Sequence, residues 1–485
     1  MKSCLLCRVC STGIPNKIQI SQQTADILIS AGKGHWVKPR EDAVRAKGKG
    51  VLNTFWLTLE GKKGLGDSSR LSESPASSSS SSLVDNIALN TPREDLEENL
   101  KTDRLVDWVV DILQLHAKKI IAQQGKARQK KGEELPTYQP EAGSTALDEV
   151  VEVITLPNFD AKAVAKAENY RHIELDPMLS RQLRDYVQTI ASMYRNNPFH
   201  NFAHACHVTM AVNKLLKRIV TPDLDEEMKS ENELASQLHA YTHGINSDPL
   251  TIFAIVFSAL IHDVDHRGIP NTQLIVEESE MASRHKNKSV AEQNSLEVSW
   301  TLLMSDEFKE LRRWLFATEA ELLRFRQVIV NVVLATDIFD KELNDLRKKR
   351  WLMAFSEEGA RLNGDNDLRA TIVIEHIIQA SDVAHTMQHW HVYCKWNKRL
   401  FQEMYLAYCQ GRMSKDPSKF WYNGEIEFFD NYIIPLAKKL KDCNVFGVSS
   451  DECLNYALKN RAEWEERGRE LVADMVDDVT KMNFY

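Results

Sequence analysis

This sequence of 485 residues lacks long apolar runs, an excess of basic charge and a dense cysteine pattern. Its longest apolar run, from Ile252 to Ile261, is about half the length that a bilayer-spanning helix needs. Lys and Arg total 61 against 69 Asp and Glu, a net charge of −8, which argues against a nucleic-acid-binding protein. Eight scattered cysteines do not suit a disulfide scaffold, and Met1 is not followed by the basic cap and apolar stretch of a signal peptide. We therefore expect a soluble, cytoplasmic protein.

Composition divides the chain into four segments. Residues 1–60 are mixed, and residues 61–90, which include the Ser77–Ser82 homopolymer, have almost nothing to bury and predict a flexible linker. Residues 91–143 form a connector with a helical pattern, and residues 144–480 form one large domain. With 43% apolar residues overall, the chain can bury a substantial core.

The connector begins with a helix-start signal at Thr91-Pro92. Its apolar residues then recur at steps of three and four, at Val106, Val110, Leu113, Ala117 and Ile120. Such a stripe serves either a coiled-coil homodimer through residues 91–123 or packing of the helix on its own domain.

Helical spacing dominates the large domain, and alternating strand patterns are scarce. The clearest helical patterns are Leu302–Phe308, Leu322–Leu334, Ile372–Val383 and Trp396–Tyr408. The absence of a βαβ rhythm predicts a mainly all-α fold for this domain.

Three groups of histidine and aspartate stand out. His200 and His204 are four residues apart, so on a helix they would share a face. The string His262-Asp263-Val264-Asp265-His266 follows the apolar segment Ile252–Ile261, which predicts a buried helix, and Asp382 also ends an apolar helical pattern. Burying polar groups in a protein interior costs free energy unless the groups have hydrogen-bond or ionic partners.

Two interpretations account for this pattern. In one, core histidines are simply bonded to aspartates; in the other, the groups converge on a metal cluster. Imidazole with carboxylate suits zinc or iron at one site, and carboxylate with water suits magnesium or manganese at a second. Three such groups placed after apolar helices favour the metal cluster.

The second group extends to His-Asp-x-Asp-His-x-Gly-x-x-Asn, ending in Gly268 and Asn271, and resembles the hallmark of class I cyclic nucleotide phosphodiesterases. The resemblance runs from about residue 146 to 440 and includes the segments Ser289–Glu292, Ala335–Asp337 and Phe428–Asp430. It implies an all-α domain that hydrolyses the 3′,5′-phosphodiester of cAMP or cGMP.

The resemblance also implies roles for individual residues. The ligands of the first metal would be His204, His262, Asp263 and Asp382, with Asp263 bridging to a second ion. His266, Glu292 and Asp337 would orient the ligands and nearby water, and His200 would act as the general acid that protonates the ribose O3′ leaving group. Two divalent ions are therefore expected, Zn²⁺ together with Mg²⁺ or Mn²⁺.

The sequence departs from the family pattern in three places. Asn294 and Ser295 stand where most members have a histidine pair, and His207 replaces an aspartate that does not bind metal. The purine-holding glutamine falls on Glu425, with Phe428 as the aromatic clamp on the base. An ionised glutamate only accepts hydrogen bonds, so it suits guanine and opposes the bare N1 of adenine. We expect a bias towards cGMP if Glu425 is ionised, and none if Glu425 is protonated and donates as glutamine would.

Tyr393, Trp396 and Leu400 form a helical stripe after Asp382. This stripe either lines the nucleotide pocket or belongs to the core.

The segment from Arg8 to Ile18, followed by the segment from Ala46 to Leu57, resembles the last third of a class III nucleotide cyclase domain, a small α/β piece. Strands are predicted at Lys17–Ser21 and Val51–Leu59, and a helix at Thr24–Ala31. Arg8 and Lys49 match positions that contact triphosphate in that family.

The rest of the cyclase pattern is missing. Cys4 replaces an expected asparagine, and the two metal-binding aspartates have no counterpart, so we expect no cyclase activity. Cys4, Cys7 and Cys10 also have zinc-like spacing but lack a fourth ligand, which favours inert thiols. A parent receptor cyclase would place the chain at the cytosolic face of a membrane.

The sequence thus predicts a metal-dependent 3′,5′-cyclic nucleotide phosphodiesterase whose partner is a small cyclic nucleotide. Two alternatives remain: another histidine–aspartate metal phosphohydrolase, and a signalling module that binds nucleotide with little turnover.

Overall fold

The structure, a computed structural model, describes residues 18–30, 36–40, 44–46, 50–52, 54–57, 93–125, 137–219, 231–356, 366–447 and 450–481. They belong to two compact units, one ending at Ala88 and one starting at Leu89. Within the described ranges, no helix is both long and apolar enough to cross a bilayer.

The N-terminal unit contains short strands and one helix. They are β1 (Ile18–Ser21), α1 (Gln22–Ser30), β2 (Val37–Pro39), β3 (Val44–Ala46), β4 (Gly50–Leu52) and β5 (Thr54–Leu57). An antiparallel sheet has the order β1-β5-β2, and β3 pairs with β4. In the β1–β5 register Ile20 lies opposite Phe55, and Ile20 is buried.

The sequence predictions for this unit are met in part. β1 and α1 lie close to the predicted strand and first helix, but the strand predicted over Val51–Leu59 is divided into β4 and β5. Arg8, Lys49 and the cysteines Cys4, Cys7 and Cys10 lie outside the described residues, as does the predicted linker.

The described residues of the second unit are all-α, as the sequence predicts. Its helices are α2 (Arg93–Gln124), α3 (Ala161–Glu168), α4 (Pro177–Met193), α5 (Phe202–Leu216), α6 (Glu231–Tyr241), α7 (Pro249–Ile261), α8 (Asn271–Glu277), α9 (Ser279–Arg284), α10 (Val290–Met304), α11 (Lys309–Leu315), α12 (Glu319–Leu334), α13 (Lys341–Phe355), α14 (Asn366–Asp382), α15 (Trp390–Cys409), α16 (Trp421–Phe428), α17 (Ile434–Asp442) and α18 (Glu452–Lys481). A short π-helix, Phe429–Ile433, joins α16 to α17.

One predicted helix is wrong in its extent. The pattern over Leu302–Phe308 is not continuous, because α10 ends at Met304 and Ser305 adopts an extended conformation before a separate turn of 3₁₀-helix. An extended residue interrupts the helical hydrogen-bond ladder even where apolar spacing continues.

The helix α7 occupies the centre of the unit. Asp248 caps it by accepting from the Thr251 backbone N–H, and Pro249 occupies its first turn. Every residue of α7 is buried, since α2, α5 and α12 pack around it. A helix that is apolar on all sides needs such a position.

The connector helix α2 packs within this same unit, against α3, α4 and α7. Its apolar stripe from Val106 to Ile120 is buried there. The stripe therefore packs on its own domain, which is one of the two uses considered for it. The homodimer through residues 91–123 stays a prediction.

Candidate active site

Three helix ends bring the first cluster of polar side chains together. His204 lies in the first turn of α5, His262 and Asp263 directly follow α7, and Asp382 is the last residue of α14. The helices α7 and α14 both pack against α5, so their carboxyl ends meet at its first turn.

The nitrogen and oxygen atoms of the four side chains lie close to one another. His204 Nε2 lies 3.0 Å from Asp382 Oδ1 and 3.6 Å from Asp263 Oδ2. His262 Nε2 lies 3.2 Å from Asp263 Oδ2 and 3.4 Å from Asp382 Oδ1. Both imidazoles are almost completely buried, whereas the Asp382 side chain is 25% exposed and opens the cluster to solvent.

The tautomer of His262 provides a test of whether this cluster fits a metal ion. His262 Nδ1 donates to the Ala259 carbonyl at 3.0 Å, so the neutral ring presents an Nε2 lone pair to the carboxylates. That buried Nε2 has no hydrogen-bond partner. A lone pair facing two acceptors is unfavourable, so without a metal ion burial is outweighed by the two carboxylates, which raise the pKa of His262, and a proton occupies Nε2. A metal ion can take the place of that proton, and a set of two imidazole nitrogens and two carboxylates suits zinc.

The charge state of the aspartates agrees with this fit. Burial alone would raise the pKa of Asp382, but the hydrogen-bonded His204 ring and the nearby His262 ring hold it below the ordinary value. Burial opposes ionisation of Asp263 as well, and the charge of His262 outweighs it and lowers the Asp263 pKa. Two ionised carboxylates therefore face the same small volume.

His200 lies at the edge of this cluster but not on the helix that the spacing predicts. The α5 helix begins at Phe202 because the Asn201 side chain caps it, accepting from the His204 N–H at 3.1 Å. His200 occupies the bend before the cap, so the expectation of one shared helical face with His204 is wrong. The two imidazole centroids are nevertheless 5.9 Å apart.

Glu403, from the middle of α15, positions His200. Its Oε2 accepts from the Phe199 and His200 backbone N–H groups at 2.8 and 2.9 Å, and its Oε1 is hydrogen-bonded to His200 Nδ1. On the other side Asn197 donates to the carbonyls of His200 and His266 at 3.0 and 2.8 Å. The histidine therefore has a fixed position although it lies outside a helix.

These contacts set the protonation of three neighbouring groups. Burial would lower the pKa of His200, but the Glu403 carboxylate outweighs it and raises that pKa to about 9. Burial and the adjacent His200 charge lower the pKa of His266 to about 4, with the two ring centroids 4.0 Å apart. Burial opposes ionisation of Glu403, yet His200 lowers the Glu403 pKa to about 2. At neutral pH His200 is cationic and His266 neutral.

A second polar group surrounds Asn271 at the start of α8. Its amide donates to Glu292 Oε2 at 3.0 Å and to Asp337 Oδ2 at 3.4 Å. Ser289 also donates to Asp337, at 2.8 Å. Burial is the main cause that raises the pKa of Glu292 to about 8, and the Asp337 charge adds to it. Glu292 therefore stays largely protonated at neutral pH. Asn271 thus joins both predicted acids in one network.

The residues that depart from the family pattern are hydrogen-bonded. Asn294 donates to Asp265 at 3.3 Å, and the Ser295 hydroxyl bonds to the Val264 carbonyl at 2.9 Å. His207 lies beside Gln388, with its Nε2 3.3 Å from the amide nitrogen, and packs on the Trp396 ring. These residues connect the loop after α7 with α10, and α5 with α15.

The predicted purine-reading residues are adjacent on α16. Glu425 is buried, and its Oε2 accepts from the Tyr393 hydroxyl at 2.7 Å. Phe428, one turn later, is half-buried and stacks on Tyr432 with centroids 5.4 Å apart. Burial raises the pKa of Glu425 to about 7 despite the opposing hydrogen bond from Tyr393.

The aromatic stripe of α15 connects these residues with the His/Asp cluster. Tyr393 and Trp396 are buried and Leu400 is half-buried. The Trp396 ring lies 5.7 Å from the His204 ring, while Tyr393 contacts Glu425. Tyr393 and Trp396 therefore belong to the core, and they also lie between the His/Asp cluster and the predicted purine-reading residues.

Sequence reasoning missed Glu403. It continues the stripe Tyr393, Trp396, Leu400 by three more residues, so a carboxylate on an otherwise apolar face was the available signal. Asn197 carried no comparable signal, because it lies in an irregular segment.

Comparison with known proteins identifies the class. The family model described as 3′5′-cyclic nucleotide phosphodiesterase matches residues 199–446. This range contains the His/Asp cluster, His200 and α16, and the chain belongs to this family. The predicted domain class, a phosphodiesterase domain, is confirmed.

Individual relatives resemble the chain only moderately. A probable 3′,5′-cyclic-AMP phosphodiesterase of Caenorhabditis elegans is 27% identical over 224 residues, 45% of this chain and 29% of the relative. A 3′,5′-cyclic-AMP phosphodiesterase of Drosophila melanogaster, isoform F, is 26% identical over 334 residues, 63% of this chain and 46% of the relative. A dual specificity calcium/calmodulin-dependent 3′,5′-cyclic nucleotide phosphodiesterase 1B of Bos taurus is 24% identical over 221 residues, 46% of this chain and 35% of the relative. The chain spans less than half the length of each of these three.

Among solved structures, the phosphodiesterase domain of the RhoPDE fusion protein from the choanoflagellate Salpingoeca rosetta matches with a TM-score of 0.45 and 23% identity. The match covers 63% of this chain and 86% of that one.

Proposed function

We propose that this protein hydrolyses 3′,5′-cyclic nucleotides to 5′-nucleoside monophosphates with the help of divalent metal ions. The observation that carries the proposal is the convergence of two buried imidazoles, His204 and His262, with the carboxylates of Asp263 and Asp382 at N···O distances of 3.0–3.6 Å. Family membership supports the substrate class.

The residues that would hold the first ion are His204, His262, Asp263 and Asp382. Asp263 is the carboxylate that would also face a second ion, and Zn²⁺ with Mg²⁺ or Mn²⁺ is the proposed pair. When bound, such ions supply positive charge against the phosphoryl oxygens and acidify a water molecule.

His200 serves as the general acid in this proposal. Its Nδ1 is held by Glu403, so the proton available to a substrate is the one on Nε2. The His200 side chain is 24% exposed and can therefore reach solvent or a bound ligand. Donation from Nε2 to the ribose O3′ would turn a poor leaving group into an alcohol.

The neighbouring acids and amides keep these groups in place. His266 packs on His200, and Asn271 holds Glu292 and Asp337 together. We assign His266, Glu292 and Asp337 to orienting ligands and water rather than to proton transfer.

The nucleotide base is assigned to α16. Phe428 would stack on the purine and Glu425 would bond to its edge, with a bias towards cGMP when Glu425 is ionised. Leaving two buried acceptors facing each other costs about 1–3 kcal/mol, which is the expected size of that bias.

One preparation of the full chain tests the proposal against the two alternatives. Bound metal is measured by elemental analysis, and turnover of cAMP, cGMP and the acyclic diester bis(4-nitrophenyl) phosphate is followed. Turnover confined to the cyclic nucleotides supports the proposal. Turnover of the acyclic diester alone would indicate a general metal phosphohydrolase, and nucleotide binding without turnover a signalling module.

A further inference from the structure

Ser289 occupies the capping position of α10 but does not cap this helix. A serine in this position normally has an extended backbone, and its side-chain oxygen accepts from an N–H group of the first turn. Ser289 instead has a φ of 40°, and its side chain makes no capping bond within the described first turn of α10. Asn271 Oδ1 takes that place by accepting from the Ala291 N–H at 2.9 Å. The Ser289 hydroxyl thereby becomes available to Asp337, and it donates to Oδ2 at 2.8 Å.

The loop before α10 has an unusual backbone conformation. Lys286 and Asn287 have φ values of 54° and 57°, so three of the four residues from Lys286 to Ser289 are left-handed. Residues other than glycine seldom adopt this conformation, and they keep it only where the surrounding structure enforces it. The loop therefore needs support from outside itself.

Gln293, in the first turns of α10, supplies this support. Its side chain is buried, and its Nε2 donates to the carbonyls of His285 and Lys288 at 3.0 and 2.7 Å. Its Oε1 accepts from the Leu147 backbone N–H at 3.3 Å. A carboxamide satisfies all three partners, which neither an ionised carboxylate nor an apolar side chain can do.

The carboxylate of Asp337 is held from two sides. Its Oδ1 accepts from the backbone N–H groups of Phe339 and Asp340 at 2.9 and 3.2 Å. Its Oδ2 accepts from Ser289 at 2.8 Å and from Asn271 at 3.4 Å. The bond from Ser289 is the shorter of the two bonds to Oδ2, so it contributes more to fixing the rotation of the carboxylate.

We propose that Gln293 is a positioning residue that holds the loop Lys286–Ser289 in its left-handed form, and that this form aims the Ser289 hydroxyl at Asp337. Gln293 acts on the loop, the loop sets the direction of the Ser289 hydroxyl, and that hydroxyl fixes Asp337. Both residues act on the reaction through Asp337, which in the proposed function orients ligands and water, so the inference rests on that function.

A double-mutant cycle in kcat tests whether the two residues act in series. Ser289→Ala removes the hydroxyl and should lower kcat for cAMP and cGMP by about tenfold. KM should change little, because an orienting contact is lost and not a nucleotide contact. Gln293→Met keeps most of the side-chain volume, removes all three hydrogen bonds and should lower kcat to a similar extent. The double variant should lose no more than Ser289→Ala alone, and losses that multiply would overturn the inference.

Hydrogen exchange in the full chain treated with a chelator supplies a readout that does not depend on turnover. The Phe339 and Asp340 amides bond to Asp337 and lie on a different segment from Gln293. In Gln293→Met and in Ser289→Ala, the peptide that contains both amides should exchange several-fold faster, since Asp337 is no longer held. Peptides of α4 should keep their wild-type rates. Unchanged exchange at Phe339 and Asp340 in Gln293→Met would contradict the proposed role.

Two further variants separate this role from a general loss of folding. Gln293→Glu keeps the acceptor for Leu147 but cannot donate to both carbonyls, so it replaces Gln293→Met if that variant does not fold and should give the same results. Gln182→Met is the matched control, because Gln182 is a half-buried glutamine of α4 whose Oε1 accepts from the Leu311 N–H at 2.8 Å. It should leave kcat unchanged, and a tenfold loss there would remove the special role of Gln293.

The outcomes distinguish this inference from the proposed function. If the wild type hydrolyses neither cyclic nucleotide, the proposed function is overturned, and the exchange measurement still tests whether Gln293 supports Asp337. Hydrolysis by the wild type combined with multiplying losses, or with unchanged exchange in Gln293→Met, would overturn the inference alone.

Discussion

His200 and Glu403 are hydrogen-bonded through both the ring and the backbone of the histidine, although 203 positions separate them in the chain. One carboxylate oxygen accepts from the His200 backbone N–H and the other contacts Nδ1. This double attachment fixes both the position and the charge of the imidazole. His200, which lies in an irregular bend, is therefore held in a fixed position without being part of a helix.

The first prediction concerns this pair. Because the Glu403 charge raises the pKa of His200 to about 9, the general acid is present at neutral pH and is lost as the pH rises through that value. In Glu403→Gln the pKa of His200 falls, so the alkaline decline of kcat should move to lower pH. A pH profile of kcat measures this, and an unmoved alkaline limb would contradict the assignment.

His200→Gln should lower kcat by about 10²–10⁴-fold, the usual contribution of a general acid, with bound metal unchanged. The matched control is His391→Gln, which alters an exposed histidine of α15. Equal activity of His200→Gln and wild type would remove His200 from the mechanism.

The second prediction concerns metal content. His204→Ala removes one nitrogen of the proposed ligand set and should reduce both the metal retained after gel filtration and the turnover of cyclic nucleotides. His207→Ala, one turn away on α5, should retain the metal because this side chain contacts Gln388 and Trp396 instead. Chelation of the wild type should abolish turnover, and added Zn²⁺ with Mg²⁺ should restore it. The same metal content in both variants would refute the ligand assignment.

The third prediction concerns a buried ion pair remote from the chemistry. Arg350 donates from one nitrogen to both carboxylate oxygens of Glu375 at 2.7 Å, with side chains only 4% and 3% exposed. Arg350→Met leaves a buried carboxylate without its partner and should lower the free energy of unfolding by about 3–5 kcal/mol. Denaturant unfolding measures this change.

Two comparisons make that measurement specific. The double variant Arg350→Met with Glu375→Leu should recover most of the loss, since neither charge remains. Lys348→Met breaks an exposed pair with Asp345 and should change stability by less than about 1 kcal/mol. A similar loss of unfolding free energy in Arg350→Met and Lys348→Met would show that burial does not determine the cost of breaking an ion pair.

The fourth prediction sets helix propensity against packing. Gly468 lies inside α18, where alanine normally stabilises a helix by about 1 kcal/mol. A Cβ atom at Gly468 would lie 2.8 Å from the buried Trp464 ring, which cannot move freely. Gly468→Ala should therefore lower the free energy of unfolding by about 1–2 kcal/mol net, as overpacking exceeds the propensity gain.

Gly424→Ala is the matched comparison for that variant. Gly424 is also helical, and a Cβ there would meet only the Phe420 side chain at 3.7 Å, an ordinary contact. It should be neutral or slightly stabilising in the same thermal or denaturant assay. If Gly468→Ala raised the free energy of unfolding as Gly424→Ala does, the Trp464 ring would have to shift to make room for the added methyl group.

Local sequence predicts much of this protein because its signals act over a few residues. The apolar run before His262 predicts a buried helix, and α7 covers it with every residue buried. The all-α class follows from the same spacing. Where a cap or an extended residue overrode the spacing, at Asn201 and Ser305, the helix boundaries differed from the prediction.

By itself, the sequence determined which side chains end the apolar helices, and hence that His204, His262, Asp263 and Asp382 would be polar groups in need of partners. Only the tertiary structure decided which distant groups meet them: Glu403 with His200, and Tyr393 with Glu425. The reason is physical, since helix formation depends on neighbours in the chain, whereas hydrogen bonding and the pKa of a buried acid depend on what packs around it.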